Sequence, residues 1–262
     1  MKNKHKILKN LFILLVFFFL YLPIFILVIY SFNSSEMNII FKSFTTNWYK
    51  VLFTNKDLLE AFINTMIIAI TSTIISTIIG TISAVGLNKY NFKGEGLIQK
   101  LIYIPIVIPE IVLGISLLSV YTLMKLELGM TTLILSHIAF SIPFVIVSVR
   151  SSLGDELDAY EEAASDLGAS PFKTFFLITL PNIMPGVISG ATLAFTLSLD
   201  DVVISYFTAG PGSNTLPLKI YSMIKTGITP DVNALSSLML LVTIIILTGS
   251  AIYQSRKIVG AR

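Results

Sequence analysis

The sequence predicts an all-α polytopic membrane protein with six transmembrane helices. Three observations predict it. Of 262 residues, 54% are hydrophobic and only 13% charged, against about 25% charged in an ordinary soluble domain. A water-soluble core of this size cannot hide so much apolar surface. The charged residues are also clustered, leaving 10–35, 61–88, 128–149, 174–199 and 232–255 with no formal charge and 101–124 with one, Glu110. Each gap reaches the roughly 20 apolar residues a helix needs to cross a hydrocarbon core about 30 Å thick. These properties exclude a soluble enzyme, a disordered linker and a nucleic-acid-binding module. The absence of cysteine excludes disulfides, thiolate zinc sites and cysteine-ligated iron–sulfur clusters.

The expected spans are 11–31, 61–87, 101–124, 131–149, 185–207 and 234–254. Lys2, Lys4, Lys6 and Lys9 before the first apolar run resemble a secretory signal. The run is longer than a signal's apolar region and no small-x-small cleavage site follows, so it is expected to be an uncleaved anchor. The second span carries Thr65, Thr71, Ser72, Thr73, Ser76 and Thr77, with Gly80 four residues before Ala84. Small and hydroxylated residues allow close helix approach, which predicts a place inside the bundle.

Orientation follows from Lys and Arg alone. With the N-terminus cytoplasmic, the inner segments hold Lys2, Lys4, Lys6, Lys9, Lys89, Lys93, Lys100, Arg150, Lys173, Arg256, Lys257 and Arg262. The outer segments hold Lys42, Lys50, Lys56, Lys125, Lys219 and Lys225. Twelve of the 18 lie inside, so both termini are expected in the cytoplasm. With no internal repeat, low-complexity tract or obvious linker, 1–262 reads as one domain.

The cytoplasmic connection 150–184 has a pattern of its own. Leu153, Leu157, Tyr160, Ala164 and Leu167 make an apolar helical stripe. Asp155, Glu156, Asp158, Glu161 and Glu162 make the other face acidic. Gly168 supplies a stop, and Ser170 with Pro171 an N-cap and first position for a second short helix carrying Phe172, Phe175 and Phe176. Two readings stand: a protein-docking knuckle, or a structural amphipathic pair on the membrane. Surface helices usually offer Lys and Arg to anionic lipid, and this one offers acids, which favours docking.

Glu162-Ala163-Ala164, three residues, Gly168, nine residues, Ile178, one residue, then Leu180-Pro181 resemble the EAA signature of ABC-importer permeases. The resemblance implies a type I importer permease architecture. It also implies that this loop couples the spans to a separate cytoplasmic ATPase, with Glu162, Ala163, Ala164, Gly168, Leu180 and Pro181 at the contact. The chain has no Gly-Lys dipeptide and so no phosphate loop. No cofactor is expected in this chain, ATP and Mg belonging to the partner ATPase, and it is expected to be a transport subunit rather than an enzyme.

Glu110, Asp200 and Asp201 are acids within expected spans. Each costs about 2.5–3.5 kcal/mol at a helix centre, so each should face protein, water or a cation. Glu110 lies ten residues beyond Lys100, or roughly 15 Å, near the midplane of a straight helix. Asp200 lies fifteen beyond Pro185, or roughly 22 Å, in the outer half. Adjacent helical residues diverge by about 100°, so one aspartate lines a path while the other caps or pairs. No intramembrane Lys or Arg neutralises them, which suits a cationic cargo. Bonding to backbone, hydroxyls or a partner subunit is the competing explanation.

Ser198-Leu199-Asp200-Asp201-Val202-Val203-Ile204-Ser205, Gly210-Pro211, the run 216–223 and Ile108-Pro109-Glu110-Ile111-Val112 resemble the second, C-type permease of spermidine/putrescine importers. That resemblance implies a homologous second permease, two ATPases, an external polyamine-binding protein and a bacterial inner-membrane location. Trp48 offers an alkylammonium a cation–π face worth about 0.5–2 kcal/mol, or it anchors a span at the interface. Leu216, Ile220, Met223 and Ile224 mark a short external helix; Pro105, Pro109 and Pro143 mark kinks; His137, alone in its span, suggests no metal site. The rivals are a permease for another solute, such as a thiamine-like cation or ferric iron, and a standalone cation-coupled carrier.

Overall fold

Long uncharged runs must satisfy their own backbone hydrogen bonds in lipid, and helices are the way a single segment does so. The computed structural model accordingly consists of helices and connecting turns over residues 2–36, 40–90, 92–154, 156–226 and 229–259, with only the backbone described for 2–5, 7, 225–226 and 246–259. Asp155 and Arg262, assigned above to the acidic face and the cytoplasmic side, lie outside the described residues. Four helical segments are long and apolar enough to cross a membrane: Leu8–Tyr30, Lys56–Lys89, Met130–Arg150 and Pro171–Asp200. A bent pair, Glu95–Val107 with Glu110–Leu123, makes a fifth if it is counted as one span. The expected sixth, 234–254, lies within a helix, Pro230–Val259, whose apolar stretch with described side chains is the shorter Pro230–Ile245.

The chain contacts gather into two compact units. The first, Met1–Leu59 with Ser222–Arg262, holds α1 (Lys2–Tyr30), α2 (Asn47–Thr54) and α12 (Pro230–Val259). Both α1 and α2 pack against α12. Asn55 Nδ2 donates to Asp231 Oδ2 at 2.7 Å, pinning the start of α12. Leu11, Phe12, Phe18, Phe19 and Phe25 of α1 are exposed, as a lipid-facing helix requires. The turn after α1 is organised by buried Asn33, whose Nδ2 donates to Ile40 O at 2.8 Å and whose Oδ1 accepts from Lys42 N at 2.9 Å.

The second unit, Glu60–Tyr221, contains most of α3 (Lys56–Lys89), then α4 (Glu95–Val107), α5 (Glu110–Leu123), α6 (Met130–Arg150), α7 (Glu156–Asp166), α8 (Pro171–Thr174), α9 (Leu180–Asp200), α10 (Val203–Thr208) and most of α11 (Leu216–Thr226). Its core joins α3, α6, α7 and α9 through Ala84, Val145, Ile146, Val149, Leu157, Ile183 and Ala194. Of the Ser/Thr-rich stretch of α3, Ser72 and Ser76 are inaccessible and Thr65 nearly so, while Thr71, Thr73 and Thr77 are half-buried. A Cβ at Gly80 would lie 2.6 Å from Val145 Cγ1, so the absence of a side chain there sets the α3–α6 approach.

Two expectations need correction. The third span is not one straight helix: α4 and α5 meet at 111°. Ile108 is extended before Pro109, with φ −70° and ψ 138°. The proline ring disfavours helical geometry at the residue before it and donates no N–H, so the helix stops there. The rise along 101–124 therefore does not measure the depth of Glu110. The fifth span does not begin at 185 or run unbroken to 207. Its helix is continuous from Pro171 through a π-helical turn, Phe175–Thr179, to Asp200 and then breaks before α10. Pro181 and Pro185 sit inside it without ending it. Because Leu180 N bonds Phe175 O, five residues back, the widened turn gives the ring of Pro181 room. The second knuckle element is thus the end of a span, not a separate short helix.

Candidate functional site

The intramembrane acids all lie at helix breaks in the second unit. Glu110 opens α5, Asp200 closes α9, and Asp201 joins α9 to α10. The two breaks face one another because α5 packs on α10, with Phe207 lying over Gly114. Glu110 lies within electrostatic reach of Asp201 and Asp200. The two aspartates have different surroundings. The Asp201 side chain is buried and caps α10, accepting from Ile204 N at 3.1 Å, Ser205 N at 2.7 Å and Ser205 Oγ at 2.8 Å. Accepting these N–H groups satisfies donors the short helix cannot satisfy itself. Asp200, one residue earlier, is exposed, as is Glu110.

Behind Asp201 stands His137 of α6, 1% exposed. Its Nδ1 is 2.6 Å from Ser198 Oγ, and its Nε2 is 3.2 Å from Ser205 Oγ and 3.5 Å from Asp201 Oδ2. Ser198 Oγ also lies 3.2 Å from Ser72 Oγ on α3. In the sequence His137 stands as a lone histidine in its span. The one available signal was a histidine and several serines in otherwise apolar spans. Among the described residues no three His, Asp or Glu side chains gather as a metal site would require.

Trp48 belongs to the first unit, on α2. Its indole N–H donates to Asn33 O at 2.6 Å and its ring is half-buried. The N–H is thereby used in ordering the turn that follows α1.

The 150–184 connection folds as a knuckle. At the end of α7, Ala169 N donates to Ala164 O at 3.0 Å and Gly168 N to Ser165 O at 2.9 Å, the paired bonds of a Schellman motif. Gly168 has φ +78°, the left-handed geometry that motif requires at this position. Ser170 caps the next helix, accepting from Lys173 N, with Pro171 in its first turn. The expected apolar stripe divides in two. Leu157 and Ala164 are buried, while Tyr160 is 49% and Leu167 89% exposed. Leu167 lies beyond the last residue of α7, where helical periodicity no longer turns it inward. Glu162, Ala163, Gly168 and Pro181 are exposed and Leu180 is half-buried. Phe172 is 72% exposed beside them. Thr179 donates to Glu161 Oε1, and Lys89 Nζ at the end of α3 lies 2.6 Å from Glu161 Oε2. Burial pushes the Glu161 carboxyl up, but the hydrogen bonds from Lys89 and Thr179 and the Lys89 charge outweigh it and hold the group below its usual range. The pair also puts the end of α3 beside the knuckle.

The chain aligns with the spermidine/putrescine transport system permease protein PotC of Escherichia coli (strain K12) at 41% identity over 255 residues, covering 97% of each chain. It is 42% identical over 235 residues to the putrescine transport system permease protein PotI of the same organism, covering 87% of this chain and 84% of that one. Its fold is similar to a chain of a bacterial ABC transporter involved in the import of the acidic polysaccharide alginate, with a TM-score of 0.72 and 13% identity over 95% of each chain. Residues 76–256, containing both helix breaks and the knuckle, match the family described as binding-protein-dependent transport system inner membrane component. The chain belongs to that family of transport permeases.

Proposed function

We propose that this chain is the permease subunit of an ATP-driven polyamine importer, carrying spermidine or putrescine across a bacterial inner membrane. The observation that carries the reading is the 41% identity over 97% of both chains to a spermidine/putrescine permease. In this reading the whole chain forms one permease domain of six spans with both termini cytoplasmic. It pairs with a homologous permease, two ATPases and an external polyamine-binding protein.

Exposed Asp200 and Glu110, at two facing helix breaks in one unit, support a path for a flexible polycation. Helix breaks are where transporters place charge without desolvating it fully. Asp201 serves that path by holding α10, and Trp48 offers an aromatic face to an alkylammonium. The exposed Leu167 and Phe172, beside Glu162, Ala163 and Gly168, support docking to an ATPase, with Ala164, Leu180 and Pro181 forming the base of the contact. The continuous helix Pro171–Asp200 gives ATPase closure a direct mechanical route from the knuckle to Asp200.

The test is uptake of labelled putrescine, spermidine and thiamine by the complete assembly in proteoliposomes. ATP-dependent uptake of a polyamine, with thiamine excluded, is the expected result. Thiamine uptake without polyamine uptake overturns the cargo assignment, and uptake independent of the ATPase overturns the importer reading.

A further inference from the structure

The chain turns out of α9 at Asp201, which is extended with φ −63° and ψ 129°, and re-enters helix at Val203. A two-residue joint of this kind leaves the angle between the helices open unless something outside the joint fixes it. The far end of α10 is held to α6, where Thr132 Oγ1 donates to Thr208 O at 2.8 Å. The near end is held by the His137 ring, which bonds on both sides of the joint. Ser198 lies in the last turn of α9 and Ser205 in the first turn of α10.

The hydroxyls assign the tautomer of the neutral ring. A serine has one proton to give, and Ser205 gives its own to Asp201 Oδ2 at 2.8 Å. Towards His137 it can only accept, so Nε2 carries the ring proton and Nδ1 is the acceptor. Ser198 then donates to Nδ1 at 2.6 Å, and its Oγ also lies 3.2 Å from Ser72 Oγ. The bonds run one way, from Ser198 through His137 and Ser205 to the carboxylate capping α10, with Ser72 of α3 beside Ser198. Every polar side chain in this path is buried, where losing one partner leaves the other unsatisfied and costs more than the bond itself contributes.

We propose that His137 is a positioning residue: it clasps the α9–α10 joint and so fixes Asp200, the exposed acid between the two clasped turns, at the cargo path. The inference rests on the polyamine-importer reading for what Asp200 meets, but the clasp itself is testable without cargo.

The experiment uses the full assembly in lipid nanodiscs. The native chain has no cysteine, so Leu193→Cys on α9 and Tyr206→Cys on α10, both exposed, take spin labels that report the joint. His137→Asn places its amide near the Nδ1 position and His137→Gln near the Nε2 position, so each retains one side of the clasp. A narrow distance distribution is expected with His137, and a broadened or two-peaked one with either replacement. In label-free complexes the KM for putrescine should rise about five- to tenfold, the loss expected for a buried hydrogen bond. That rise should vanish in an Asp200→Asn background, which a merely space-filling role would not cause. Distributions that overlay the native one, or a KM change that persists undiminished without Asp200, overturn the proposal. If the His137 variants fail to assemble, Ser198→Ala and Ser205→Ala each cut one side and are read in the same way. An assembly that moves no polyamine refutes the cargo reading, and the distance distributions still decide the clasp.

Discussion

Lys89 and Glu161 tie the end of α3 to the α7–α8 knuckle, with Nζ and Oε2 2.6 Å apart. The carboxylate is held below its usual pKa, against the opposing effect of burial, by Lys89 and Thr179. A depressed folded pKa means that the contribution is present above the ordinary carboxylate value and lost as pH falls through the lowered one. Hydrogen exchange across 156–181, corrected for the intrinsic pH dependence of amide exchange, should therefore be unchanged from pH 7 to pH 5 and accelerate only below about pH 4. Lys89→Met should bring the acceleration to a higher pH. Lys89 is partly exposed, so its removal should cost only about 0.2–1 kcal/mol. Acceleration at the same pH in both proteins would show that the pair does not hold the knuckle.

Gly168 separates backbone geometry from contact. A Cβ there meets nothing within 4 Å in this chain, yet φ is +78°. Strain alone costs a residue with a Cβ roughly 1–2 kcal/mol, with Asn least penalised. If the turn's geometry is what coupling needs, uptake should fall in the order Gly, Asn, Ala, Val. If the ATPase packs directly on this position, Asn should be as damaging as Ala or worse. Uptake and ATPase pull-down, measured together, separate the two.

The adjacent aspartates should behave differently. Asp201→Ala removes the cap of α10 and should lower stability by about 0.5–2 kcal/mol, with Asp201→Asn less severe because Asn also caps. Asp200→Asn touches no capping bond and should leave the melting temperature alone. It should raise the KM for polyamine, as should Glu110→Gln. Thermal unfolding in detergent and uptake in proteoliposomes read the two effects. Unchanged uptake with both Asp200→Asn and Glu110→Gln removes the acid-lined path.

The legible part of this fold was local. Uncharged gaps marked the membrane helices because lipid tolerates little else, and Gly168 with Ser170-Pro171 marked the knuckle's turn because those residues act within a few positions of themselves. Prolines were harder. Pro109 ends a helix while Pro181 and Pro185 continue one, and the difference lies in how each neighbouring turn adjusts. The partners of His137 lie 61 and 68 residues away, and no periodicity connects them. The pair Asp200-Asp201 announced two diverging side chains, since adjacent helical positions cannot share a face. Which aspartate takes the capping role became clear only from the break that follows.

Trp48 poses a choice between anchoring and cargo contact. Its N–H is committed to Asn33 O at 2.6 Å, and Asn33 is the buried residue that closes the turn onto Ile40 and Lys42. Trp48→Phe keeps an aromatic face and removes that donor. It should cost about 1 kcal/mol of stability, the usual worth of one such bond, and change KM little. Trp48→Leu removes the face as well, and a ring that holds an alkylammonium by cation–π attraction is worth about 0.5–2 kcal/mol. The KM for putrescine should therefore rise further in Trp48→Leu than in Trp48→Phe, while stability falls by a similar amount in both. Equal KM values in the two variants would assign Trp48 to ordering the turn alone and leave the acids at the helix breaks as the charged contacts on the path.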